Sequence, residues 1–299
     1  MSTDFVVDRI LPTNQTHIIG GASGSGKTTV MFQLLKAIQE GTEWFGYQCY
    51  SLPISYVSCD RSLKEVDGTC KRVGCEFLME RTISTVNEPI QDKFTTVYEQ
   101  VMSRWPDTKM LVIDGFGLLC QGRRSGDYPS YGDVAQFLKV CQRRAIHDQV
   151  TILGSDHDAK TKHGLGYDNP KDRILGSSAW AGFSSSVIHI DMVNPANPQD
   201  PDRLLHIFPR DAIASVLELT FTDQGVLIEK TKQLADFILD EFLRTLPFDE
   251  SIHLQIFVDY GEKKGFTKRT VQRWLNDRIK EGSMARSDQR GFYRRLRTS

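Results

Sequence analysis

The segment Gly21-Ala22-Ser23-Gly24-Ser25-Gly26-Lys27-Thr28 has the spacing G-x-x-x-x-G-K-[ST] and follows the apolar run His17–Gly20. Glycines so placed let successive backbone N–H groups turn inward onto phosphate oxygens, and a helix opening at Lys27 adds the positive end of its dipole. Lys27 would neutralise the β- and γ-phosphates and the Thr28 hydroxyl would ligate Mg2+, with Thr29 completing the nucleotide-contacting stretch. A Gly-rich turn that only joins strand to helix has no need of Lys followed by Thr, so the segment reads as a P-loop. Further along, Lys109-Met110-Leu111-Val112-Ile113-Asp114 is an apolar strand ending in a carboxylate, the Walker B pattern. Asp114 would hold Mg2+ through water at the carboxyl edge of a sheet. Hydrolysis of ATP also needs a carboxylate to polarise the attacking water. Gly115 follows Asp114, so the other candidate is Asp60, at the end of the run Ile54–Cys59. Asp60 could instead cap the next helix. Ser62, with Glu65 three residues on, is the better-spaced cap and leaves Asp60 free for chemistry.

The elements that must position these residues alternate between strand-like and helix-like patterns through about residue 230, as in a mostly parallel sheet with helices on its faces. Strands are expected at His17–Gly20, Ile54–Cys59, Met110–Ile113, Val150–Gly154, Val187–Ile190, Leu204–Phe208 and Val216–Phe221. Lys27–Glu40 puts Val30, Met31, Leu34, Leu35 and Ile38 on one helical face and stops at Gly41. Asp133 is expected to cap a long helix through His147. Thr222-Asp223-Gln224-Gly225 reads as a hairpin turn between Val216–Phe221 and Val226–Ile228. From residue 231 the pattern becomes three helices, Leu234–Leu243, Ile252–Tyr260 (ending at Gly261) and Lys268–Glu281 (capped by Thr267), then a hairpin of Met284–Arg286 and Phe292–Arg294. That order resembles a winged helix-turn-helix. The expected division is residues 1–230 for the α/β core and 231–299 for a small α+β domain.

Hydrophobic residues make up 39% of the 299 and charged ones 25%, which excludes wholesale disorder and fibrous classes. No apolar run approaches the roughly 20 residues of a membrane span, and Met1–Ile10 lacks a signal-peptide pattern. The six cysteines show neither C-x-x-C pairs nor zinc spacing with histidine, so they read as reduced thiols of a cytoplasmic protein. The net charge of −1 hides an asymmetry: residues 263–299 carry 12 Lys and Arg against 3 acidic residues, a charge of +9, and the preceding residues carry −10. Clustered positive charge is what a phosphate backbone selects.

Four segments in order resemble one family. They are the P-loop, Tyr56-Val57-Ser58-Cys59-Asp60-Arg61, Ile113-Asp114-Gly115-Phe116-Gly117-Leu118-Leu119, and the stretch Val150–Lys160 containing Asp156-His157-Asp158-Ala159-Lys160. Over residues 15–230 they are similar to RecA-like ATPases of the RepA-type hexameric replicative helicases and, more distantly, of the DnaB class. The resemblance puts Asp60 where the family has its catalytic Glu, one methylene shorter. It puts His157 at the sensor strand end, with Asp156 in place of a more usual His and Lys160 matching a following Lys. Asp156, His157 and Asp158 also suggest a metal site, but no second His–carboxylate pair supports one. The resemblance further implies a ring, most simply a hexamer, in which a cation from one subunit completes the neighbour's site. Arg210 aligns with that finger, Phe208 stands where a second cation is usual, and Arg173 is the reserve; Arg210 could equally be a surface arginine.

Two loops of the family face the central channel and would carry single-stranded DNA. Here they are Gln121–Tyr128, with Arg123 and Arg124, and Lys160–Gly166, with Lys160 and Lys162. In the C-terminal module, Lys268, Arg269, Arg273 and Arg278 are expected to project opposite Val271, Trp274, Leu275 and Ile279, with Arg286, Arg290, Arg294 and Arg295 on the hairpin. A winged helix would set such a helix in the major groove of duplex DNA, although winged helices also serve as protein-docking modules. The reading is an ATP-hydrolysing, oligomeric DNA motor of replication or recombination. The alternative is an ATP-switched DNA-binding regulator or loader that does not unwind.

Overall fold

The computed structural model describes residues 4–86, 93–120, 129–158, 174, 178–197, 199–248, 250–264 and 266–296. The chain divides into two compact units, Met1–Leu227 and Ile228–Ser299. Arg123, Arg124, Lys160, Lys162 and Arg173 lie outside the described residues.

In the first unit, two short hairpins pair β1 (Phe5–Val7) with β2 (Leu11–Pro12) and β4 (Glu43–Trp44) with β5 (Tyr47–Gln48). The main sheet has six mutually parallel strands: β10 (Ser186–Met192), β3 (Thr16–Gly21), β9 (Thr151–His157), β8 (Met110–Asp114), β6 (Ile54–Ser58) and β7 (Thr82–Ser84), in that spatial order. Beyond β10 the sheet turns antiparallel through β11 (Asp202–Pro209) and β12 (Ser215–Phe221), and β13 (Leu227–Glu229) forms its edge. The parallel strands are buried on both faces and so read as apolar runs rather than alternating ones.

Successive side chains go to opposite layers. Ile19, Val112 and Ile188 join the layer of helices α1 (Lys27–Glu40) and α2 (Leu63–Val73). Ile18, Ile113 and Val187 join the layer of α3 (Lys93–Arg104), α4 (Tyr131–His147) and α5 (Ala179–Phe183). That second layer centres on Phe116, Phe137 and Trp180, whose rings meet at 4.8–6.0 Å. Burying each such ring contributes about 1.5–3 kcal/mol. All six cysteines are buried free thiols. No described helix is long and apolar enough to cross a membrane.

Three expectations shift. The cap of α4 is Ser130, not Asp133. Asp133 is the third helical residue, and its Oδ2 accepts from Ser130 N at 3.0 Å in a reciprocal capping box. The expected helix Ile252–Tyr260 is strand β14 (Ser251–His253) followed by α7 (Leu254–Lys263), because His253 Nδ1 caps Gln255 N at 3.1 Å. Gly261 lies inside α7 rather than ending it, since a Cβ there would stand 2.4 Å from Val271 Cγ2.

The second unit runs α6 (Lys230–Thr245), β14, α7, α8 (Lys268–Lys280), β15 (Met284–Arg286) and β16 (Phe292–Arg295). Its sheet has the order β14-β16-β15, antiparallel throughout. Phe257, Val271, Trp274 and Leu275 form its core, with Leu239 of α6.

Candidate functional site

The P-loop leaves the end of β3 and enters α1 through Gly26, whose φ of 100° is a left-handed conformation that favours glycine. A Cβ there would also sit 2.7 Å from Phe221 Cζ. No side chain caps α1 and its first turn holds no acidic residue. The N–H groups of Lys27, Thr28 and Thr29 therefore have no intrahelical acceptor and suit an anion. Ser25 Oγ, fully buried, makes no hydrogen bond among the described residues. An orphaned hydroxyl beside an uncapped helix start fits a phosphate. Thr29 is buried, and its hydroxyl lies 3.4 Å from Arg72 Nη2, so it offers the loop its backbone rather than its side chain.

Arg203 of β11 holds the loop from behind. Its Nε donates to Ser25 O at 2.8 Å and its Nη2 reaches Gly24 O at 3.4 Å. The guanidinium lies 5.1 Å from the Phe221 ring centroid. Sequence reasoning missed this residue, because an arginine in a distant alternating strand carries no motif.

Asp114 ends β8 and is 1% exposed. Its Oδ2 accepts from Arg61 Nη2 at 2.7 Å and from the Tyr56 hydroxyl at 2.9 Å, and its Oδ1 accepts from the Ser155 hydroxyl. Burial pushes its pKa up, but the charges of Lys27 and Arg61 and the Ser155 and Tyr56 hydrogen bonds outweigh this and hold the carboxyl below its ordinary value. The site thus keeps a buried anion on the sheet edge. Asp114 and the Thr28 hydroxyl are hard oxygen donors of the kind Mg2+ takes.

Asp60 follows β6, with its side chain 30% exposed. Burial and the neighbouring Asp114 raise its pKa, against the pull of Arg61, Lys27 and His157. A carboxylate raised in this way is a better proton acceptor than an ordinary surface one. Ser62 caps α2 as expected, with Glu65 Oε2 accepting from Ser62 N at 2.8 Å. His157, at the end of β9, has Nε2 3.9 Å from Asp60 Oδ2. Burial and Lys27 lower its pKa, which favours the neutral ring. Asp156 turns elsewhere: its Oδ2 accepts from Gly117 N, fixing the turn after β8. Lys27, Asp60, Asp114 and His157 are thus brought together at the carboxyl edge, with the charge of Lys27 acting on the other three.

Arg210 is not with them. It follows β11 where Pro209 pairs with Ser186, and Ser186 in turn pairs with His17, near the start of β3. Its Nη2 lies 3.2 Å from Gly182 O. This is the opposite edge of the sheet, from which Arg210 cannot serve the P-loop of its own chain. Phe208 stacks on His206.

In the second unit, Lys268 and Arg269 are exposed. Two of the four helix cations do not project as expected. Arg273 Nη1 meets Glu229 Oε2 at 3.1 Å. Arg278 clasps both Asp240 oxygens at 2.6 Å and Glu281 at 2.5 Å, and Trp274 Nε1 donates to the same Asp240. An arginine so held braces α8 against α6. On the hairpin Arg286, Arg290 and Arg294 are exposed, whereas Arg295 donates to Arg244 O and Leu246 O.

The sequence model of the AAA domain family matches residues 2–163. Among solved structures, the ATPase domain of a DnaB-like helicase superposes with a TM-score of 0.53 at 11% identity, over 73% of this chain and 85% of that one. No curated protein matches the chain in sequence.

Proposed function

Because the chain belongs to the AAA domain family and its core has the RecA-like P-loop ATPase fold, we propose that it is an ATP-hydrolysing, oligomeric DNA motor of replication or recombination. The observation that carries this is the gathering of Lys27, Asp60, Asp114 and His157 at one sheet edge around an uncapped, orphan-bearing helix start. ATP would supply the transferable phosphoryl group, and Mg2+ the charge neutralisation between its phosphates. The backbone of residues 24–29 and Lys27 would hold the phosphates, while Thr28 and Asp114 would hold the metal. Asp60 would accept a proton from the attacking water, and His157, neutral and 3.9 Å from Asp60, would orient that carboxylate or the water. Arg210, remote from its own P-loop, would act only on a neighbouring subunit, which ties turnover to assembly.

The order α6-β14-α7-α8-β15-β16 with sheet order β14-β16-β15 supports reading the second unit as a winged helix. Its exposed cations, Lys268, Arg269, Arg286, Arg290 and Arg294, would meet duplex phosphate. The regulatory reading has its own support in the shorter reach of Asp60 and in Phe208 standing where a second finger cation is expected.

One experiment separates them: Mg2+-dependent ATP hydrolysis with and without single-stranded DNA, alongside opening of a forked duplex. A motor shows DNA-accelerated hydrolysis and opens the fork. Hydrolysis with duplex binding but a closed fork selects the regulator, and no hydrolysis in any arm overturns both.

A further inference from the structure

A second group of ionisable side chains stands on the sheet face opposite α1, and the phosphate chemistry does not use it. His189 of β10 is fully buried, and its Nε2 lies 2.8 Å from Asp158 Oδ1, just past the end of β9. Across β10, Asp191 stands two residues on, on the same face, with its Oδ1 3.6 Å from His189 Nδ1. His206 of β11 pairs directly with His189, and its Nε2 lies 3.3 Å from Asp191 Oδ2. Neither His189 Nδ1 nor His206 Nε2 makes a hydrogen bond among the described residues. Between them, β3 contributes Gly20, where a Cβ would stand 3.0 Å from His189 Cδ2, so the backbone there leaves room for the imidazole.

Two orphaned ring nitrogens facing one carboxylate need an explanation. With the Nε2 proton of His189 donated to Asp158, the Nδ1 lone pair points toward an anionic oxygen, which is repulsive unless a positive charge lies between. We propose that His189 Nδ1, Asp191 and His206 Nε2 form a binding site for a transition-metal dication of the Zn2+ class, with Asp158 as the carboxylate that orients His189. Ligand atoms about 2.0–2.2 Å from a tetrahedral Zn2+ lie about 3.3–3.6 Å from one another, the spacing seen on either side of Asp191. The donor set, two imidazoles and a carboxylate, favours Zn2+ or Co2+ over Mg2+. A carboxylate behind the far nitrogen of a liganding histidine is the usual way such a ring is fixed. The ion would tie the ends of β9, β10 and β11 together, with Asp158 directly after His157 of the candidate active site. The site is independent of the proposed motor function.

The sequence signal is the pair His189-x-Asp191, two residues apart in a strand and so on one face. It is a second His–carboxylate pair, far along the chain from His157 and brought near it only by the sheet.

The test uses the full chain, stripped with chelator and titrated with Co2+ while visible absorption is followed. The expected result is one equivalent bound with the intense spectrum of a four-coordinate site, bleached by Zn2+, and a rise in melting temperature with Zn2+. His206→Gln and Asp191→Asn should each lower affinity at least tenfold. Asp158→Asn should lower it 10–100-fold with one equivalent still bound. His147→Gln, at an exposed His–Asp pair on α4, should leave binding unchanged. His206→Gln and Asp191→Asn change partly exposed side chains, and circular dichroism of each variant checks that it folds. A weak octahedral Co2+ spectrum, or affinity unaffected by both of these variants, overturns the proposal and leaves protonated imidazoles bridging the carboxylates.

Discussion

Asp60 stands under two opposed influences: burial and Asp114 raise its pKa, while Lys27, Arg61 and His157 draw it down. The net rise is what a general base needs, so Asp60→Asn should retain ATP binding and lose turnover by 100-fold or more, a typical share for acid–base catalysis. Single-turnover hydrolysis with a parallel nucleotide-binding titration checks this, and normal turnover in the variant would move the base elsewhere. Asp60→Glu, restoring the family's reach, should match or exceed the parent rate. A second residue-scale effect concerns stability rather than chemistry. His17, fully buried with Nε2 2.9 Å from Pro12 O, has its pKa lowered from 6.5 to about 4, by burial against the weaker pull of that hydrogen bond. The neutral ring is the form the fold keeps, so the unfolded chain binds the extra proton between these values. Stability from this group is full above about pH 6.5 and falls as the pH drops toward 4, by on the order of 3 kcal/mol in all. Urea unfolding of His17→Gln across that range should show a flatter acid limb than the parent, and identical limbs would assign the acid loss to other groups.

At the level of elements, the P-loop is shaped as much from behind as from its own glycines. Arg203 bonds to Ser25 O and Gly24 O and rests on Phe221, the same ring that fills the space a Cβ at Gly26 would need. Arg203→Met should therefore keep the fold and weaken ATP binding about tenfold, the equivalent of about 1.4 kcal/mol of lost preorganisation. Calorimetric nucleotide titration measures it, and unchanged affinity would mean that the loop holds its own shape. Arg203 also marks where sequence reading reaches its limit. The α1 boundaries, Lys27–Glu40, are legible because Gly41 and a helical apolar stripe mark them, and the parallel strands because burial on both faces makes them continuous apolar runs. The hairpins β1–β2 and β4–β5 are two or three residues per strand and too short for a period to register. Helix α3 follows a segment without a capping signature, and β14 merges in sequence with an apolar run whose first turn is set by a histidine cap. Among the site residues, Lys27, Asp60, Asp114 and His157 carry local motifs. Arg61, Tyr56, Ser155 and Arg203 reach the site through strand register, which spacing along the chain does not encode. Arg273 and Arg278 look open on a helical wheel because their partners Glu229 and Asp240 come from residues outside that helix.

For the whole molecule, charge is partitioned by sequence position: +9 over residues 263–299 and −10 over the rest. The residues proposed for hydrolysis all fall within Met1–Leu227, and the exposed cations proposed for duplex contact fall within Ile228–Ser299. Long-range attraction to DNA should therefore come from the second unit, and it should come from a subset of its cations. Arg278 is excluded by its bidentate grip on Asp240. Its loss should cost about 1.5–3 kcal/mol of stability, as for hydrogen bonds to charged groups, and leave the salt dependence of binding largely intact. Lys268, Arg269, Arg290 and Arg294 are exposed. Each phosphate left without its cation lowers the slope of log affinity against log salt by about 0.9 on duplex DNA. Replacing these four with Ala should weaken duplex binding severely and flatten the slope by one such step for every phosphate so affected, while basal ATP hydrolysis changes little. Arg278→Ala, measured beside it, should lower the melting temperature with the slope near the parent value. Salt titrations of duplex affinity, run with ATPase assays and thermal melts on the parent and both variants, read all three quantities. Equal slopes in the parent and the quadruple variant would mean that the exposed face of α8 and the hairpin meets protein rather than nucleic acid, and the second unit would then be a docking module.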